Sequence, residues 1–256
     1  MDNNNMGGKQ NTGEDLIIGR NAVREALKAD RPAECLFIQR GEHKGALTPI
    51  AAQCIEKKIP VKEVDAKKLD FMCGHGNHQG VILRAAPKEY SSVDDIFKNA
   101  EEKGEAPFII ICDGLEDPHN LGAVIRSAEA AGAHGVIIPS RRSAGLNMTV
   151  EKTSAGALEY MPVARVSNIN LCMEELKKRG VWIYAADMDG TPYYETDMSG
   201  SAAIVIGSEG SGVSRLVKQN ADFTVSIPMC GHINSLNASV AAGILMFEIS
   251  KRRRSE

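Results

Sequence analysis

Residues 107–139 read PFIIICDGLEDPHNLGAVIRSAEAAGAHGVIIP. The run Phe108-Ile109-Ile110-Ile111-Cys112 is apolar without alternation, the pattern of a strand covered on both faces in a parallel sheet. Ala123 to Ala131 has helical texture and ends at Gly132, and Gly135-Val136-Ile137-Ile138 is a second buried strand. The theme recurs at Val181–Ala185, Ala203–Ile206 and Thr224–Ile227, with helical stretches between. Alternating strands and helices predict a doubly wound α/β sheet. The final helix, from Ala238 to Phe247, is apolar nearly all round. It is therefore expected to be buried, and its small residues admit the backbone of a neighbour such as a second subunit.

Upstream the texture changes. Residues 1–14 are polar and rich in Asn and Gly, as in a disordered tail. Residues 15–87 read as a small αβ domain: helical spacing over Ile18–Leu27, a strand at Cys35–Ile38, a helix over Pro49–Lys57, a strand at Pro60–Val64, a short helix over Ala66–Met72 and a closing strand at Gly80–Ala85. The charged stretch 88–105 looks like a linker. Residues 106–256 then form the larger domain.

Composition removes several classes. The chain has 256 residues, 43% hydrophobic and 25% charged, an ordinary globular balance. No run of 18 apolar residues suggests a membrane span, and the first residues lack a secretory core, so a cytoplasmic location is expected. Six cysteines stand at least 19 residues apart without a CxxC pair, which suits reduced, buried thiols rather than a disulfide framework or zinc site. His119 has no partner spacing for a metal, so no metal is expected. The net charge of −3 does not announce a nucleic-acid binder, but a local basic patch is enough to hold a phosphate backbone. The dense run Lys251–Arg254 reads as a solvated tail complementing the last helix, or as an RNA contact.

Three segments could carry chemistry. Gly207-Ser208-Glu209-Gly210-Ser211-Gly212 follows a strand directly, and such a turn offers backbone N–H groups to a ligand. Its spacing is neither GxGxxG nor a P-loop, so it stands equally as a tight turn or a cofactor loop. In Ile227–Ser239, three capable helix caps (Ser235, Asn237, Ser239) crowd one helix entrance beside Gly231. A helix needs one cap, and the surplus points to a site. In Asp113–Glu129, Asn120 sits near a helix entrance at the carboxyl end of the first strand, where open α/β sheets hold ligands. Arg126 lies further along that helix, free to pair with Glu129 on a solvated face.

Taken in order, DPHNLGAVIRSAEAAGAHGVIIP, IVIGSEGSGVS and IPMCGHINSLNASVAAGILMFE resemble the three motifs of the SPOUT-class RNA ribose 2′-O-methyltransferases of the TrmH family. The N-terminal GRNAVREAL and HQGV resemble the substrate-binding domain of the subgroup that methylates a guanosine 2′-hydroxyl in 23S ribosomal RNA. The resemblance implies a deep trefoil knot in the C-terminal parallel-sheet domain, an αβα N-terminal domain, and a homodimer packed through the knots. S-adenosylmethionine would be held by Gly207, Ile227 and Leu236, with Glu209, Gly210 and Met229 close by. The active-site positions would be Asn120, Arg126, Glu209, Ser235 and Asn237, with Arg126 at the mouth of the cofactor cavity. Arg20, Asn21 and Arg24 are candidate RNA contacts.

The family proposal makes Arg126 a general base. A guanidinium with a pKa above ~12 is a poor one, and a cation that orients the 3′-phosphate and stabilises the developing alkoxide is the better reading. Glu209 better suits positioning than proton abstraction. A tRNA substrate and a non-catalytic ribosome-assembly role are the rival expectations; an ordinary dinucleotide enzyme is disfavoured by its missing fingerprints.

Overall fold

The computed structural model describes residues 15–41, 45, 47–232 and 235–254. The tail expected over 1–14 lies outside them. The chain divides between Lys88 and Glu89 into two compact units.

The N-terminal unit runs β1 (Asp15–Ile18), α1 (Arg20–Lys28), β2 (Ala33–Gln39), α2 (Thr48–Glu56), β3 (Val61–Val64), α3 (Ala66–Met72) and β4 (Val81–Ala85). Its sheet has the order β1-β4-β2-β3, with only β2 and β3 parallel. Alternation along β2 sends Leu36 and Ile38 to one face, against Val23 and Leu27 of α1 and Ile50 and Cys54 of α2. Cys35 and Phe37 go to the other, against Leu69 of α3. This is the αβα sandwich that the resemblance implies, but Ile18 and Gly19 do not belong to the first helix. Ile18 ends β1, an element the sequence did not show, and Gly19 turns the chain into α1 with a positive φ of 94°.

The second unit begins with α4 (Val93–Glu102), in the stretch read as a linker. A Ser92–Asp95 capping box starts the helix, and Ile96 and Ala100 are buried. Ile96 packs so closely over Gly135 that a Cβ there would lie 2.4 Å from it. The charges of 88–105 thus form the wet side of an amphipathic helix belonging to the larger core.

There follow β5 (Phe108–Asp113), α5 (Pro118–Ala130), β6 (Gly135–Pro139), α6 (Met148–Thr153), β7 (Val163–Val166), α7 (Ile169–Lys178), β8 (Trp182–Pro192), β9 (Ala202–Gly207), α8 (Arg215–Asn220), β10 (Phe223–Ser226) and α9 (Ala238–Arg253). All six strands are parallel, in the order β10-β8-β9-β5-β6-β7. Phe108, Ile110 and Cys112 of β5 face the layer holding α5 and α9; Ile109 and Ile111 face the layer with α4, α7 and α8. The strand order reverses beside β5, so its carboxyl end and that of β9 form the crevice where such sheets bind ligands.

Two details differ from expectation. Helix α9 buries Ala242, Leu245, Met246 and Ile249 but leaves Val240 and Phe247 half exposed. The basic run is less of a tail than expected. Lys251, Arg252 and Arg253 form the last turn of α9, where they complement its negative end as the sequence suggests. Arg252 and Arg253 also donate to the carbonyls of Tyr194 and Gly200, at 3.0 and 2.9 Å. All six cysteines are free, five of them buried.

Candidate active site

Asp117 caps α5 by accepting from the N–H of His119, and Pro118 opens its first turn. This places Asn120 within the first turn, buried at 6% exposure, beyond the end of β5. At the neighbouring strand end, the loop after β9 closes on itself. Ser208 and Gly212 exchange backbone hydrogen bonds of 3.2 and 2.9 Å, and the N–H of Ser214 donates to Asp113 at 2.7 Å. Gly207 has no room for a side chain, since a Cβ would lie 2.0 Å from the Gly212 carbonyl carbon. The fold-back holds Glu209 over α5.

The third contributor is the entrance of α9. Asn237 is its cap, with Oδ1 accepting from the N–H groups of Ser239 and Val240 at 3.0 and 3.3 Å. Ser239 adds its hydroxyl to the same oxygen at 2.6 Å, and Ser235 is left uncommitted to capping. The Asn237 amide nitrogen points away from the helix and donates to Asn120 Oδ1 at 2.9 Å and to Glu209 Oε1. Asn120 in turn donates to Glu209 Oε1 at 3.0 Å. Three residues separated by as many as 117 positions therefore form one closed cluster. In it the Glu209 carboxylate is held by two amides, a positioning arrangement that leaves it poorly placed as a base.

A cavity of about 410 Å³ adjoins the cluster, within the range of small-molecule pockets. Gly207, Glu209, Gly210, Ile227, Met229, Ser235 and Leu236 all line it, so every residue expected around a cofactor meets in one place. Its walls combine apolar side chains (Ile206, Ile227, Leu236, Leu245) with the backbone of 207–212. That composition suits a ligand with a flat heterocycle and a polar tail. Ser208 to Gly212 also form one wall of a second groove of about 900 Å³ that includes Asn120 and several charged side chains.

Arg126 is the exception. Six residues beyond Asn120, it lies about 120° round α5 and about 9 Å along it. It is exposed, lines neither cavity, and among the described residues makes no hydrogen bond or ion pair, the expected Glu129 pairing included. In the N-terminal unit, the Arg20 Nε–H donates to the Gln79 carbonyl at 2.9 Å, tying α1 to the HQG loop. Asn21 is exposed and Arg24 half buried. Among the described residues, no group of three or more His, Cys, Asp or Glu could hold a metal.

An all-parallel α/β domain whose crevice is built from three loops at the carboxyl ends of its strands is the frame of a methyltransferase domain, and similarity to known proteins supplies the class. Residues 107–247 match the SpoU rRNA Methylase family, and residues 16–91 match the RNA 2′-O ribose methyltransferase substrate-binding family. The chain belongs to the SpoU/TrmH family and is an RNA methyltransferase. It is 47% identical over 241 residues to the putative TrmH family tRNA/rRNA methyltransferase YacO of Bacillus subtilis, covering 93% of this chain and 96% of that one. A solved RNA 2′-O ribose methyltransferase superposes with a TM-score of 0.78 at 27% identity, over 95% of this chain and 90% of the other. The AdoMet-bound rRNA methyltransferase of Sinorhizobium meliloti superposes with a TM-score of 0.77 at 25% identity, over 93% and 87%.

Proposed function

We propose that this chain transfers a methyl group from S-adenosylmethionine to a ribose 2′-hydroxyl, that of a guanosine in 23S ribosomal RNA, as a cytosolic homodimer. The observation that carries this reading is the Asn120–Glu209–Asn237 cluster set against a cavity lined by Gly207, Ile227 and Leu236. The cofactor fits that cavity in kind: apolar walls for the adenine, and a backbone-rich loop with no side chain at Gly207. When bound, S-adenosylmethionine supplies the methyl group as an activated sulfonium.

The chain's own residues do the rest. Gly207, Ile227 and Leu236 hold the cofactor, with Glu209, Gly210 and Met229 beside it. Asn120 and Asn237 fix Glu209, which shapes the loop between cavity and groove. Ser235, uncommitted to α9, offers its hydroxyl to the ribose or its phosphate. Arg126 lines neither cavity of its own chain, so its role as a permanent cation for the 3′-phosphate and the developing alkoxide requires that it reach the site of the second subunit in the homodimer of this reading. The 2′-hydroxyl requirement makes RNA the substrate rather than DNA. The rRNA assignment draws support from the N-terminal unit's match to a substrate-binding family, where Arg20, Asn21 and Arg24 would meet RNA. The trefoil knot and the dimer belong to the same reading. The all-parallel sheet and the meeting of Gly207 with Leu236 in one cavity support the first, and the half-exposed Val240 and Phe247 of α9 the second.

Two measurements test it. S-adenosylhomocysteine should raise the melting temperature while NAD and ATP leave it unchanged. Methyl transfer to 23S rRNA fragments, with mapping of the modified ribose, should find a guanosine; modification of tRNA alone would replace the substrate assignment, and methylation of neither would refute the reading.

A further inference from the structure

The groove of about 900 Å³ shares the wall Ser208–Gly212 with the cofactor cavity, and Asn120 and Glu209 stand at their junction. Its far side is made by Arg141 and Arg142, from the loop after β6. Both are exposed, and among the described residues neither has a hydrogen bond or ion pair. Arg179, Arg252 and Arg165 are by contrast engaged, with Asp94, with Glu248 and with the Ser140 carbonyl, and Arg126, which is as unengaged as the pair, does not line the groove.

The loop that presents the two arginines is fixed at both ends. The Ser140 N–H donates to the Val166 carbonyl and its own carbonyl accepts from Arg165 at 2.9 Å. Further on, the Ala144 N–H donates to the Leu115 carbonyl at 2.8 Å and the Leu146 N–H to the Tyr90 hydroxyl at 3.0 Å. Between these anchors Arg142 holds a left-handed φ of 55°, a conformation that costs a non-glycine residue free energy and persists where the surroundings impose it.

Charge in the groove is divided by wall. Asp113 and Asp117 accept from the backbone N–H groups of Ser214 and His119, and Glu209 is held by two asparagines. Glu116 remains as an uncommitted carboxylate on that side. The opposite side carries the two guanidinium groups and the N-terminus of α7, capped by Asn168, whose helix dipole adds partial positive charge. A polyanionic strand can therefore run along one side only.

We propose that this groove receives the RNA strand beside the target nucleotide, with Arg141 and Arg142 as its phosphate-binding residues. The inference rests on the reading of the chain as an RNA 2′-O-methyltransferase and extends it to substrate positioning. Guanidinium forks match phosphate oxygens in pairs, and a phosphate held on the far wall leaves the adjoining ribose to reach the junction at Asn120 and Glu209.

The test compares full-length wild type, Arg141→Gln/Arg142→Gln and Arg141→Lys/Arg142→Lys. Binding of a 23S rRNA fragment is measured by anisotropy over a salt series, and S-adenosylhomocysteine binding by calorimetry. The Gln pair should weaken RNA binding about tenfold and flatten the slope of log K against log salt by about 1.4, two single-strand contacts at about 0.7 each. Cofactor-product affinity should not change, KM for RNA should rise more than kcat falls, and the Lys pair should keep the wild-type slope. An unchanged slope in the Gln pair overturns the proposal, as does a parallel loss of S-adenosylhomocysteine binding, which would make the arginines structural. Wild type that binds neither RNA nor S-adenosylhomocysteine overturns the functional reading itself, a result distinct from either.

Discussion

Replacing Asn237 by aspartate separates the two ends of its amide. Aspartate keeps the oxygen that caps α9 but places a second carboxylate oxygen where Asn237 donates to Asn120 and Glu209. Asn237→Asp should therefore fold with a nearly unchanged helix while methyl transfer falls about a hundredfold, the scale of losing one preorganised donor. Asn237→Ala should lose the cap as well, about 1 kcal/mol of stability. Single-turnover rates and urea midpoints measure the two effects, and an Asp variant of wild-type rate would remove the cluster from catalysis. Arg126 poses a different question, because its exposure makes any substitution there nearly neutral for folding. Arg126→Lys preserves charge but not the fork, so turnover should drop with no change in melting temperature; near-normal turnover would end a guanidinium-specific role. At this scale the sequence was legible in part. It marked Ser235, Asn237 and Ser239 as rival caps but could not choose, since the choice depends on which amide also reaches Asn120 and Glu209 across the chain. It named Arg126 by motif, yet helical spacing puts that residue on a different face from Asn120.

The loop after β9 is a folding unit in its own right, because Gly207 must accept the backbone of Gly212 and Val213 against its Cα. Gly207→Ala leaves a methyl with nowhere to go, and backbone rather than a flexible side chain would have to shift. The variant should fold around its intact sheet yet show no thermal shift with S-adenosylhomocysteine; a normal shift would mean that the fold-back does not shape the cofactor cavity. The buried strands β5, β6 and β9 were plain from their unbroken apolar runs, since a strand covered on both faces leaves no polar position. Shorter or wetter elements were not. β7 is four residues with two of them partly or fully exposed, and β8 continues through Asp187-Met188-Asp189-Gly190, a sequence that reads as a loop. That extension is held by β10, whose Val225 and Ser226 pair with Thr191 and Pro192 after a register shift, a tertiary cause invisible locally. Likewise the stripe Val93, Ile96, Phe97 and Ala100 of α4 was hidden by the charges between, and only its seat over Gly135 shows that it belongs to the core.

Across the whole larger domain, the crevice occupies the carboxyl ends of the strands, while the amino end of β5 is tied together around one buried imidazole. His134 is fully enclosed. Its Nδ1 accepts from the Phe108 N–H at 2.9 Å, so the neutral ring carries its proton on Nε2, 3.3 Å from Glu105. Its carbonyl accepts from Asn99 of α4 at 2.8 Å, and Arg253 of α9 reaches Glu105 at 3.4 Å. Helices from both layers thus meet at this residue. Burial, reinforced by Lys103 and Arg253, pushes the His134 pKa down to about 4, with Glu105 opposing. A histidine lowered in the folded state contributes its full stability above the unfolded value near 6.5. As pH falls from about 6.5 towards 4, the unfolded chain takes up the proton first and the folded state loses ground. The loss should reach on the order of 3 kcal/mol, a large part of a domain's usual margin. The carboxylates with lowered pKa, Asp95, Asp187 and Asp197, titrate from 3.8 downwards and so act in a lower window. Urea midpoints measured between pH 7.5 and 4.5 should therefore fall steeply for wild type. His134→Gln, which can still accept from Phe108 but takes up no proton, should start lower and stay nearly flat over the same range. Parallel profiles for the two proteins would place the acid sensitivity elsewhere in the fold.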